Sequence, residues 1–408
     1  MLVCVVGAGG REHALADALA RAGHGVVVTP GNPGIPGSAV TPPEEVGADL
    51  FVIGPEVPLV DGLADRLRAA GRLVFGPGAD GARLEGSKRW MKDLLVDAGV
   101  PTARHASFTD PAPAIAYLET LPPPYVVKTD GLAAGKGVLV TGSLAQAADD
   151  VRAKLSGAAF GPAGRTVVIE EGLTGPELSL LCVCDGHRAV PLAPAQDFKR
   201  LLDGDAGPNT GGMGAYSPVP VAGPDVVEEV MATVVEPTLA ALRRRGIDYR
   251  GVLYAGLMLT PAGPRIIEYN VRFGDPEAQV VLPRYAGDLA QLLAEAAAGD
   301  LRSRPEWDER SAVTVVLATE GYPLAPRTGD AISGLDEAAA LPGVTVYSAG
   351  VGPGRTTAGG RVLDVTALGA DLPDARRRAY EAVSLIDWPG MHYRRDIAET
   401  AAGMEVHA

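Results

Sequence analysis

The sequence predicts a multidomain protein of the α/β and α+β fold classes. Over the first hundred residues, short apolar strands alternate with amphipathic helices, which indicates an open parallel sheet with helices on its faces. Strands then predominate, and the last hundred residues form another α+β unit. The chain has 408 residues, enough for two to four domains with separate cores.

The N-terminal domain is predicted to span residues 1–100. Its strands and helices are assigned, in chain order, to "LVCVVG", "REHALADALARAG", "GVVVTPG", "DLFVIGPE", "LVDGLADRLRAAG" and "RLVFGP". A further helix follows in "EGSKRWMKDLLVDAG", and the glycine and proline near residue 100 end it. We therefore place the first domain boundary there.

The middle domain, residues 101–310, contains the glycine-rich stretch "KTDGLAAGKGV". A P-loop needs four residues between its glycines and a hydroxyl after the lysine, whereas only three residues separate Gly131 from Gly135, and Gly137 follows Lys136. Short β-branched runs flank the stretch, so it is predicted to connect two antiparallel strands.

The other elements are assigned from the same periodicities. Those of the middle domain are "SLAQAADDVRAKL" (helix), "RTVVIEEG" (strand), "GPNTGGMGAYSP" (loop) and "PDVVEEVMATVVEPTLAALRRRG" (helix). The C-terminal domain, residues 311–408, is predicted as an α+β unit. Its elements are "SAVTVVLATEG", "VTVYSAGV", "GRVLDVTALG" and the helix "DLPDARRRAYEAVSLI".

Charge and composition narrow the class of protein. The net charge is −14 and the pI is about 4.9, so neither nucleic acid nor an anionic membrane is an expected partner. No apolar run approaches the ~20 residues of a membrane span. "MLVCVVGAGG" lacks the basic start and cleavage site of a signal peptide and is predicted to be a first strand. Three cysteines and six scattered histidines give no zinc-type spacing and indicate a reducing cytoplasm.

The turn "GAGGREHA" follows the first strand, where a dinucleotide-binding fingerprint would lie. Glu12 replaces the third glycine of the fingerprint, and the second strand lacks the terminal acid that would bind an NAD ribose. Three interpretations of Gly9 and Gly10 stay open: NAD binding, a tight structural turn, and a contact with phosphate or sugar phosphate at a helix N-terminus.

The stretch "RIIEYNVRFGDPE" places three polar side chains on one face of a strand. Side chains alternate along a strand, so Glu268, Asn270 and Arg272 point the same way. Carboxylate and amide oxygens suit Mg²⁺, which keeps several waters and shares phosphate oxygens. The alternative interpretation is an exposed polar face of an edge strand.

Three further stretches suit an anion. "AQDFKR" joins an acid to two cations, "GPNTGGMGA" offers several backbone N–H groups, and "EGSK" places Lys88 at a helix start. A surface charge cluster and a flexible loop are the alternatives for the first two. The sequence has no G-x-S-x-G or H-E-x-x-H motif and no obvious Cys/His pair. Phosphate handling with a divalent metal remains, which means phosphoryl transfer or ATP-driven ligation.

Taken together, these stretches resemble the ATP-grasp ligases, and among them the phosphoribosylamine–glycine ligase family. The resemblance extends almost end to end through "GAGGREHA", "PGNPG", "VIGPEVPLV", "LEGSK", "KTDGLAAGKGV", "VIEEGLTGPELS", "QDFKR", "GPNTGGMGAYSP", "LYAGLM", "EYNVRFGDPE" and "GGRVLDVTALG". It implies an N-terminal substrate-binding domain (pre-ATP-grasp), an ATP-grasp domain with a small lid subdomain at about 104–175, and a C-terminal α+β domain.

The resemblance also implies roles for individual residues. Those expected at ATP are Lys88, Lys128, Gly131, Gly135, Lys136, Gly137, Glu170, Glu171 and Glu177. Those expected at glycine and 5-phosphoribosylamine are Gly9, Gly10, Glu56, Lys199, Arg200, Gly211 and Gly212. Mg²⁺ or Mn²⁺ is expected on Glu268 and Asn270. The residues expected to be catalytic are Arg272, Asp197 and Asp275.

The implied activity is the ATP-dependent joining of glycine to 5-phosphoribosylamine, giving glycinamide ribonucleotide, ADP and phosphate in purine synthesis. Because the sequence offers no activated Ser or Cys nucleophile, we expect a glycyl phosphate intermediate, with Asp197 or Asp275 accepting a proton. Arg272 would hold a carboxylate or phosphate by a forked contact. The alternatives are another ATP-grasp ligase or carboxylase of purine synthesis and a non-catalytic nucleotide sensor.

The sequence departs from the family pattern in three places. Phe198 stands where the family commonly has His, so no catalytic role is assigned to that position. "LYAGLMLT" carries no third acidic metal ligand, which leaves phosphate and water to complete the coordination shell. "SAVTPPEEVGAD" leaves room for barely one helical turn where the family usually has a helix, and this shortens a crossover of the N-terminal sheet.

Overall fold

The computed structural model describes residues 1–133, 137–157 and 164–404. Its N-terminal part is a parallel sheet made of β1 (Leu2–Gly7), β2 (Gly25–Pro30), β3 (Leu50–Ile53) and β4 (Val74–Phe75). The strand order is β2-β1-β3-β4, which confirms the predicted open parallel sheet. Its helices are α1 (Gly10–Arg21), α2 (Glu56–Val60), α3 (Leu63–Ala69), α4 (Ala79–Gly86) and α5 (Lys88–Ala98). Between β2 and β3 the described helical structure is a single 3-10 turn, Pro43–Glu45, as the short connection predicts.

A small antiparallel sheet follows. Its strands are β5 (His105–Phe108), β6 (Tyr125–Thr129), β7 (Val138–Thr141) and β8 (Val167–Glu171), in the order β5-β8-β6-β7. Lys128 on β6 lies opposite Val138 on β7 in antiparallel register, which confirms that the glycine-rich stretch connects two strands. The sheet packs on α6 (Pro111–Leu118) and α7 (Leu144–Leu155) around its own core, which includes Val127, Val151 and Ile169.

The next segment supplies the large antiparallel sheet under the cleft. Its strands are β9 (Glu177–Asp185), β10 (Ala189–Pro191), β11 (Gln196–Asp197), β12 (Arg200–Leu202), β13 (Ala206–Asn209), β14 (Gly214–Ser217), β15 (Arg250–Thr260) and β16 (Gly263–Asn270). Four of them form a sheet in the order β10-β9-β15-β16, while β12 and β13 pair as a hairpin. The helices are α8 (Pro224–Val230), α9 (Glu236–Arg244), α10 (Ala278–Val281) and α11 (Leu289–Ala298). A π-helical segment, Met231–Val235, joins α8 to α9, so the single helix predicted there has an interruption in its hydrogen bonding.

The C-terminal part shares a sheet with the middle of the chain. Its strands are β17 (Ser311–Ala318), β18 (Val344–Ser348), β19 (Val351–Gly352), β20 (Thr356–Thr357) and β21 (Arg361–Gly369). Its helices are α12 (Leu335–Ala339), α13 (Leu372–Val383) and α14 (Glu399–Ala402). The sheet order is β11-β14-β17-β21-β18, so two strands from residues 196–217 complete a sheet that otherwise lies beyond residue 310.

The N-terminal part is also fixed to its neighbours. Leu15 and Leu19 of α1 belong to the same buried cluster as Val281 and Leu282 of the middle segment. His13 of α1 accepts a hydrogen bond at Nδ1 from the Ser348 backbone N–H, 2.8 Å away. Because the three parts of the chain share cores and contacts, they hold the walls of a central cleft in a defined arrangement.

Candidate functional site

A cleft of about 1220 Å³ lies between the small sheet and the large antiparallel sheet. Its lining includes sixteen of the residues predicted to be functional. These are Glu56, Lys88, Lys128, Gly131, Gly137, Glu170, Glu171, Glu177, Asp197, Lys199, Arg200, Gly211, Glu268, Asn270, Arg272 and Asp275. Two other predicted residues, Gly135 and Lys136, lie outside the part of the chain that the structure describes.

A buried group of two lysines and one glutamate forms the wall of the cleft on the small sheet. The Glu170 carboxylate lies 3.0 Å from Lys92 Nζ and 2.9 Å from Lys128 Nζ, and all three side chains are buried. Burial lowers the pKa of Lys92 to about 8, although Glu170 opposes this shift. Lys128 Nζ also donates to the Ile267 carbonyl, 3.0 Å away. Glu170 therefore orients Lys128 between the two sheets rather than presenting a free carboxylate.

Lys88 begins α5 and reaches the glycine-rich connection. Its Nζ donates to the Gly131 carbonyl, 3.3 Å away. Burial lowers the pKa of Lys88, and the positive charge of Lys128 lowers it further, while Glu268 acts in the opposite direction. Two lysines thus face one wall of the cleft close together, an arrangement that an anionic ligand would stabilise.

A β-bulge decides which side chains β16 presents to the cleft. Glu268 pairs with Gly256 and Ile266 pairs with Leu257, so Ile267 is an extra residue on its strand. The bulge shifts the alternation, so that Ile266 and Tyr269 are buried while Glu268 and Asn270 line the cleft. A Cβ atom at Gly256 would lie 3.2 Å from Glu268 Cγ, a close contact that glycine avoids.

Cations surround Glu268. Lys199 Nζ lies 3.6 Å from Glu268 Oε1 and 3.1 Å from Glu177 Oε2. Burial by itself would raise the pKa of Glu268, but Lys199, Lys128 and further cations outweigh it and lower the pKa to about 2. The Glu268 side chain is therefore a carboxylate near neutral pH.

Arg272 holds the end of the same polar face. Its Nη2 donates to Glu85 Oε1 at 2.9 Å and to Asn270 Oδ1 at 3.2 Å, and its Nε lies 3.5 Å from Glu56 Oε2. Burial disfavours the charged guanidinium, but Glu85 and Glu56 outweigh it and raise the pKa of Arg272. Glu85 also accepts a hydrogen bond from the Val271 N–H. Two carboxylates therefore fix this guanidinium at the cleft.

The two aspartates predicted to take part in catalysis have opposite environments. Burial raises the pKa of Asp197 to about 8, because Glu277, Glu177 and Glu268 add to the effect of burial and Lys199 only partly offsets it. Asp275 is half-buried, and although burial alone would raise its pKa, Arg361 and Arg11 lower it.

Asp275 belongs to a hydrogen-bonded group that joins three parts of the chain. Arg361 Nη2 lies 2.9 Å from Asp275 Oδ2, and Gln279 Nε2 donates to Asp275 Oδ1 at 2.8 Å. Gln279 Nε2 also donates to Asp364 Oδ2, at 2.9 Å. Gly10 leaves the space for this carboxylate, since a Cβ atom there would lie 1.8 Å from Asp364 Oδ2.

The buried Asp364 is expected to make the stability of the protein depend on pH. It is fully buried, and burial together with Asp275 raises its pKa to about 7, above the ~3.9 of an unfolded chain. A raised carboxyl pKa destabilises the folded state as pH rises, by up to about 1.4 kcal/mol per pH unit between the two pKa values. We expect Asp364→Asn to leave stability nearly unchanged at pH 4 and to stabilise the protein progressively up to pH 7. Urea unfolding at several pH values measures this, with the exposed Asp225→Asn as control; a difference independent of pH would contradict it.

Three predicted substrate residues lie apart from the cleft lining, and they have structural contacts. The Gly9 N–H donates to Glu12 Oε2 at 2.6 Å, so the helix start is capped from within its own turn. Gly10 packs on Asp364, and Gly212 packs on Pro276.

Phe198, to which no catalytic role was assigned, has a packing role. Its ring lies beside Tyr216, 6.2 Å between ring centroids, and under the Arg394 guanidinium.

Sequence reasoning missed several residues of the site. Arg11, Glu85, Glu277 and Arg361 line the cleft, and Lys92 supports it from behind. Four of them lie inside the quoted motifs "GAGGREHA", "LEGSK", "EYNVRFGDPE" and "GGRVLDVTALG", which was the available signal. Lys92 belongs to a long-range ion pair that no local pattern identifies.

No helix of the residues described is long and apolar enough to cross a membrane.

Comparison with known proteins identifies matches over nearly the full chain. Models of the phosphoribosylglycinamide synthetase N domain, ATP-grasp (A) domain and C domain match residues 1–85, 86–278 and 312–400. The chain is 52% identical to the phosphoribosylamine–glycine ligase of Streptomyces coelicolor, over 99% of this chain and 100% of the relative. It is 48% identical to the ligase of Synechocystis, over 98% of this chain and 100% of the relative.

Solved structures give the same result. The phosphoribosylamine–glycine ligase of Thermotoga maritima superposes with a TM-score of 0.84 at 37% identity, covering 98% of this chain and 100% of that one. The biotin carboxylase domain of the Hydrogenobacter thermophilus 2-oxoglutarate carboxylase, solved with MgADP, ADP and bicarbonate, has a TM-score of 0.74 at 16% identity. It covers 96% of this chain and 91% of that one, and it shares the fold.

Proposed function

This chain belongs to the phosphoribosylamine–glycine ligase (phosphoribosylglycinamide synthetase) family of ATP-grasp enzymes, and from that premise we propose what its cleft does. It joins glycine to 5-phosphoribosylamine at the expense of ATP, giving glycinamide ribonucleotide, ADP and phosphate in purine synthesis. The observation that carries the proposal is that Glu268 and Asn270 on β16, with Arg272 just after it, meet three lysines from other parts of the chain in one cleft.

The ATP end of the cleft is assigned to the small sheet. Lys88 and Lys128 are proposed to neutralise phosphate oxygens, and the strand that carries Glu170 and Glu171 lines the same cleft. Positioning and charge neutralisation supply most of the catalysis in phosphoryl transfer, so fixed lysines are the main requirement. The Glu170 contact fixes one of them, Lys128, in a buried position.

The donor set of the cleft fits a divalent metal ion. An ionised carboxylate and an amide oxygen, on Glu268 and Asn270, are hard oxygen ligands. The described residues contain no group of three or more His, Cys, Asp or Glu that would hold a metal alone, which suits a metal shared with phosphate and water. We propose Mg²⁺ or Mn²⁺ on these two residues. When bound, the metal would neutralise phosphate charge.

The substrate end is assigned to the opposite side of the cleft. We propose that Arg272, whose guanidinium is fixed by Glu85 and Glu56, holds a carboxylate or phosphate by a forked contact when substrate binds. Lys199, Arg200 and Gly211 also line the cleft. Glycine and phosphoribosylamine are proposed to bind there, so that the glycine carboxylate meets the γ-phosphoryl group of ATP.

The order of steps follows from the chemistry of the carboxylate. An amine does not displace oxide from a carboxylate at neutral pH, so ATP first converts glycine into glycyl phosphate and releases ADP. The amine of phosphoribosylamine then attacks the acyl carbon, the C–O bond to phosphate breaks, and the proton lost by the amine is taken by a carboxylate. Asp197 suits that role, because a base works best when its pKa lies near the working pH.

The proposal is tested by withholding substrates one at a time while ADP release is measured. We expect turnover with ATP, glycine and phosphoribosylamine together, and its loss when glycine is withheld. Turnover that does not need glycine would show a different ligase, and no turnover with the complete set would show a nucleotide sensor.

The glycyl phosphate step has a separate test. Glycine labelled with ¹⁸O in its carboxylate should transfer one labelled oxygen to the released phosphate. The bond between the acyl carbon and the bridging oxygen breaks, so that oxygen leaves with the phosphate. Mass spectrometry of the phosphate measures the transfer, with labelled water and unlabelled glycine as the control. Unlabelled phosphate at full turnover would rule the intermediate out.

We also propose a cytoplasmic location. Cys4, Cys182 and Cys184 are all free and buried, which suits a reducing compartment.

A further inference from the structure

Gly211, in the loop of residues 210–213 between β13 and β14, is bound at both of its backbone polar groups by side chains from the C-terminal part of the chain. Its N–H donates to Tyr322 Oη at 2.9 Å, and its carbonyl accepts from Arg361 Nη1 at 2.7 Å. Gly211 lines the cleft, and so do both side chains. One residue of the loop is therefore held in a fixed position by two groups that lie more than a hundred positions away in the sequence.

Arg361 also holds the neighbouring aspartate. Its Nη1 donates to the Asp275 carbonyl and its Nη2 to Asp275 Oδ2, each at 2.9 Å. The exposed fractions of the two side chains are 19% and 15%, so water screens this pair only in part. A planar guanidinium with several fixed donors can bind two segments at once, which the single ammonium of lysine cannot reproduce.

The bound loop is connected in turn to Lys199. The Thr210 side chain accepts from the Gly212 N–H at 3.0 Å and donates to the Lys199 carbonyl at 2.9 Å. Gly212 has φ +110°, and a Cβ atom there would lie 2.4 Å from Pro276 Cδ, so the loop has little freedom to shift. A change at Gly211 is therefore passed to Lys199 and to the segment after Asp275.

We propose that Arg361 and Tyr322 act as a clamp, a pair of positioning residues that holds the loop 210–213 and Asp275 in place at the substrate end of the cleft. The inference rests on the function proposed above, because it assumes that glycine and phosphoribosylamine bind at this end. The C-terminal part of the chain thereby contributes to substrate binding through the backbone of the middle part. We expect ATP binding at Lys88 and Lys128 to be independent of the clamp, because these lysines are held by Gly131, Ile267 and Glu170.

Two substitutions test the clamp. Tyr322→Phe removes the acceptor of the Gly211 N–H and keeps the ring, while Arg361→Lys keeps the charge and loses the forked contact. Arg355→Lys is the matched control, because Arg355 is exposed in the same part of the chain and pairs with Asp336. If Arg361→Lys fails to fold, Tyr322→Phe decides the question.

We expect both clamp variants to lose on the order of 10² in kcat/KM for glycine and phosphoribosylamine, the loss typical of a misplacement of about 1 Å. The KM for ATP should stay unchanged, and the Arg355→Lys control should match the unaltered protein. Hydrogen–deuterium exchange of the peptide that contains Gly211 should be faster in Tyr322→Phe. A KM for ATP that rises as much as the others would overturn the proposal, because it would show general loosening.

The exchange measurement separates this inference from the proposed function. If the unaltered chain releases no ADP with its complete set of substrates, the proposed function fails, yet exchange at Gly211 still decides the clamp. Faster exchange in Tyr322→Phe would then support it, and unchanged exchange would overturn it.

Discussion

Glu268→Gln is expected to reduce turnover by on the order of 10²–10³ while the protein stays folded and continues to bind glycine. The substitution keeps the shape of the side chain and one oxygen, but it removes the negative charge. That charge is present near neutral pH, because the surrounding lysines lower the pKa of Glu268 to about 2. The neutral amide of glutamine cannot offset the positive charge of a divalent cation that binds the triphosphate beside Lys199 and Lys128. The phosphoryl transfer step therefore loses electrostatic stabilisation.

The measurement is ADP release as a function of Mg²⁺ and Mn²⁺ concentration. We expect the metal concentration that gives half-maximal rate to rise, and the maximal rate to stay low even when metal is saturating. Glu228→Gln, an exposed position on α8, is the control for a general effect of losing one charge. Near-normal turnover of Glu268→Gln at ordinary Mg²⁺ would show that Glu268 and Asn270 have a structural role.

The polar face of β16 shows what the local sequence pattern predicts and what it does not. Alternation along a strand correctly groups Glu268 with Asn270, because the spacing of two residues is intact between them. Alternation alone does not predict which face looks into the cleft. The bulge at Ile267 makes that choice, and it depends on how β16 pairs with Gly256 and Leu257 of β15. The sequence of one strand contains no record of that pairing.

Residues that act through distant partners were beyond the reach of sequence patterns. Lys92 lies in an ordinary amphipathic helix, and its role is apparent only when Glu170 and Lys128 are brought beside it. Arg361 lies in a motif that was noticed, yet its targets, Gly211 and Asp275, come from two other segments. In the sequence, Asp364 is one polar residue among the apolar residues of a strand. Only the structure shows that Gln279 bridges its carboxyl group to that of Asp275.

The sequence predicts those parts of the fold whose strands and turns depend on neighbouring residues in the chain. The parallel N-terminal sheet and the strand–loop–strand at the glycine-rich stretch follow from periodicity and turn residues. The division at residues 100 and 310 stays a prediction. The sheet β11-β14-β17-β21-β18 crosses the second of these positions, because β14 pairs with β17. A boundary placed from local sequence patterns cannot predict that segments on both sides of it contribute strands to one sheet.

Asp197→Asn is expected to lower kcat by about 10²–10⁴, the usual contribution of a general base. The two candidate bases differ in what holds them. Asp275 accepts from Arg361 and Gln279, and its lowered pKa makes it a weak proton acceptor. Asp197, with a pKa raised to about 8, binds a proton more strongly and is still partly ionised near neutral pH.

A pH–rate profile distinguishes the two aspartates. A base must be ionised to accept a proton, so the rate of the unaltered protein should rise with pH up to about 8 and then level off. Asp197→Asn should be slow at every pH and should lose this rise, with the KM for ATP unchanged. Asp275→Asn, the matched comparison, should keep the rise and raise the KM for glycine or phosphoribosylamine, because Asp275 fixes the loop through Arg361. If Asp197→Asn kept the pH-dependent rise at a high rate while Asp275→Asn lost it, the proton would have to pass to Asp275.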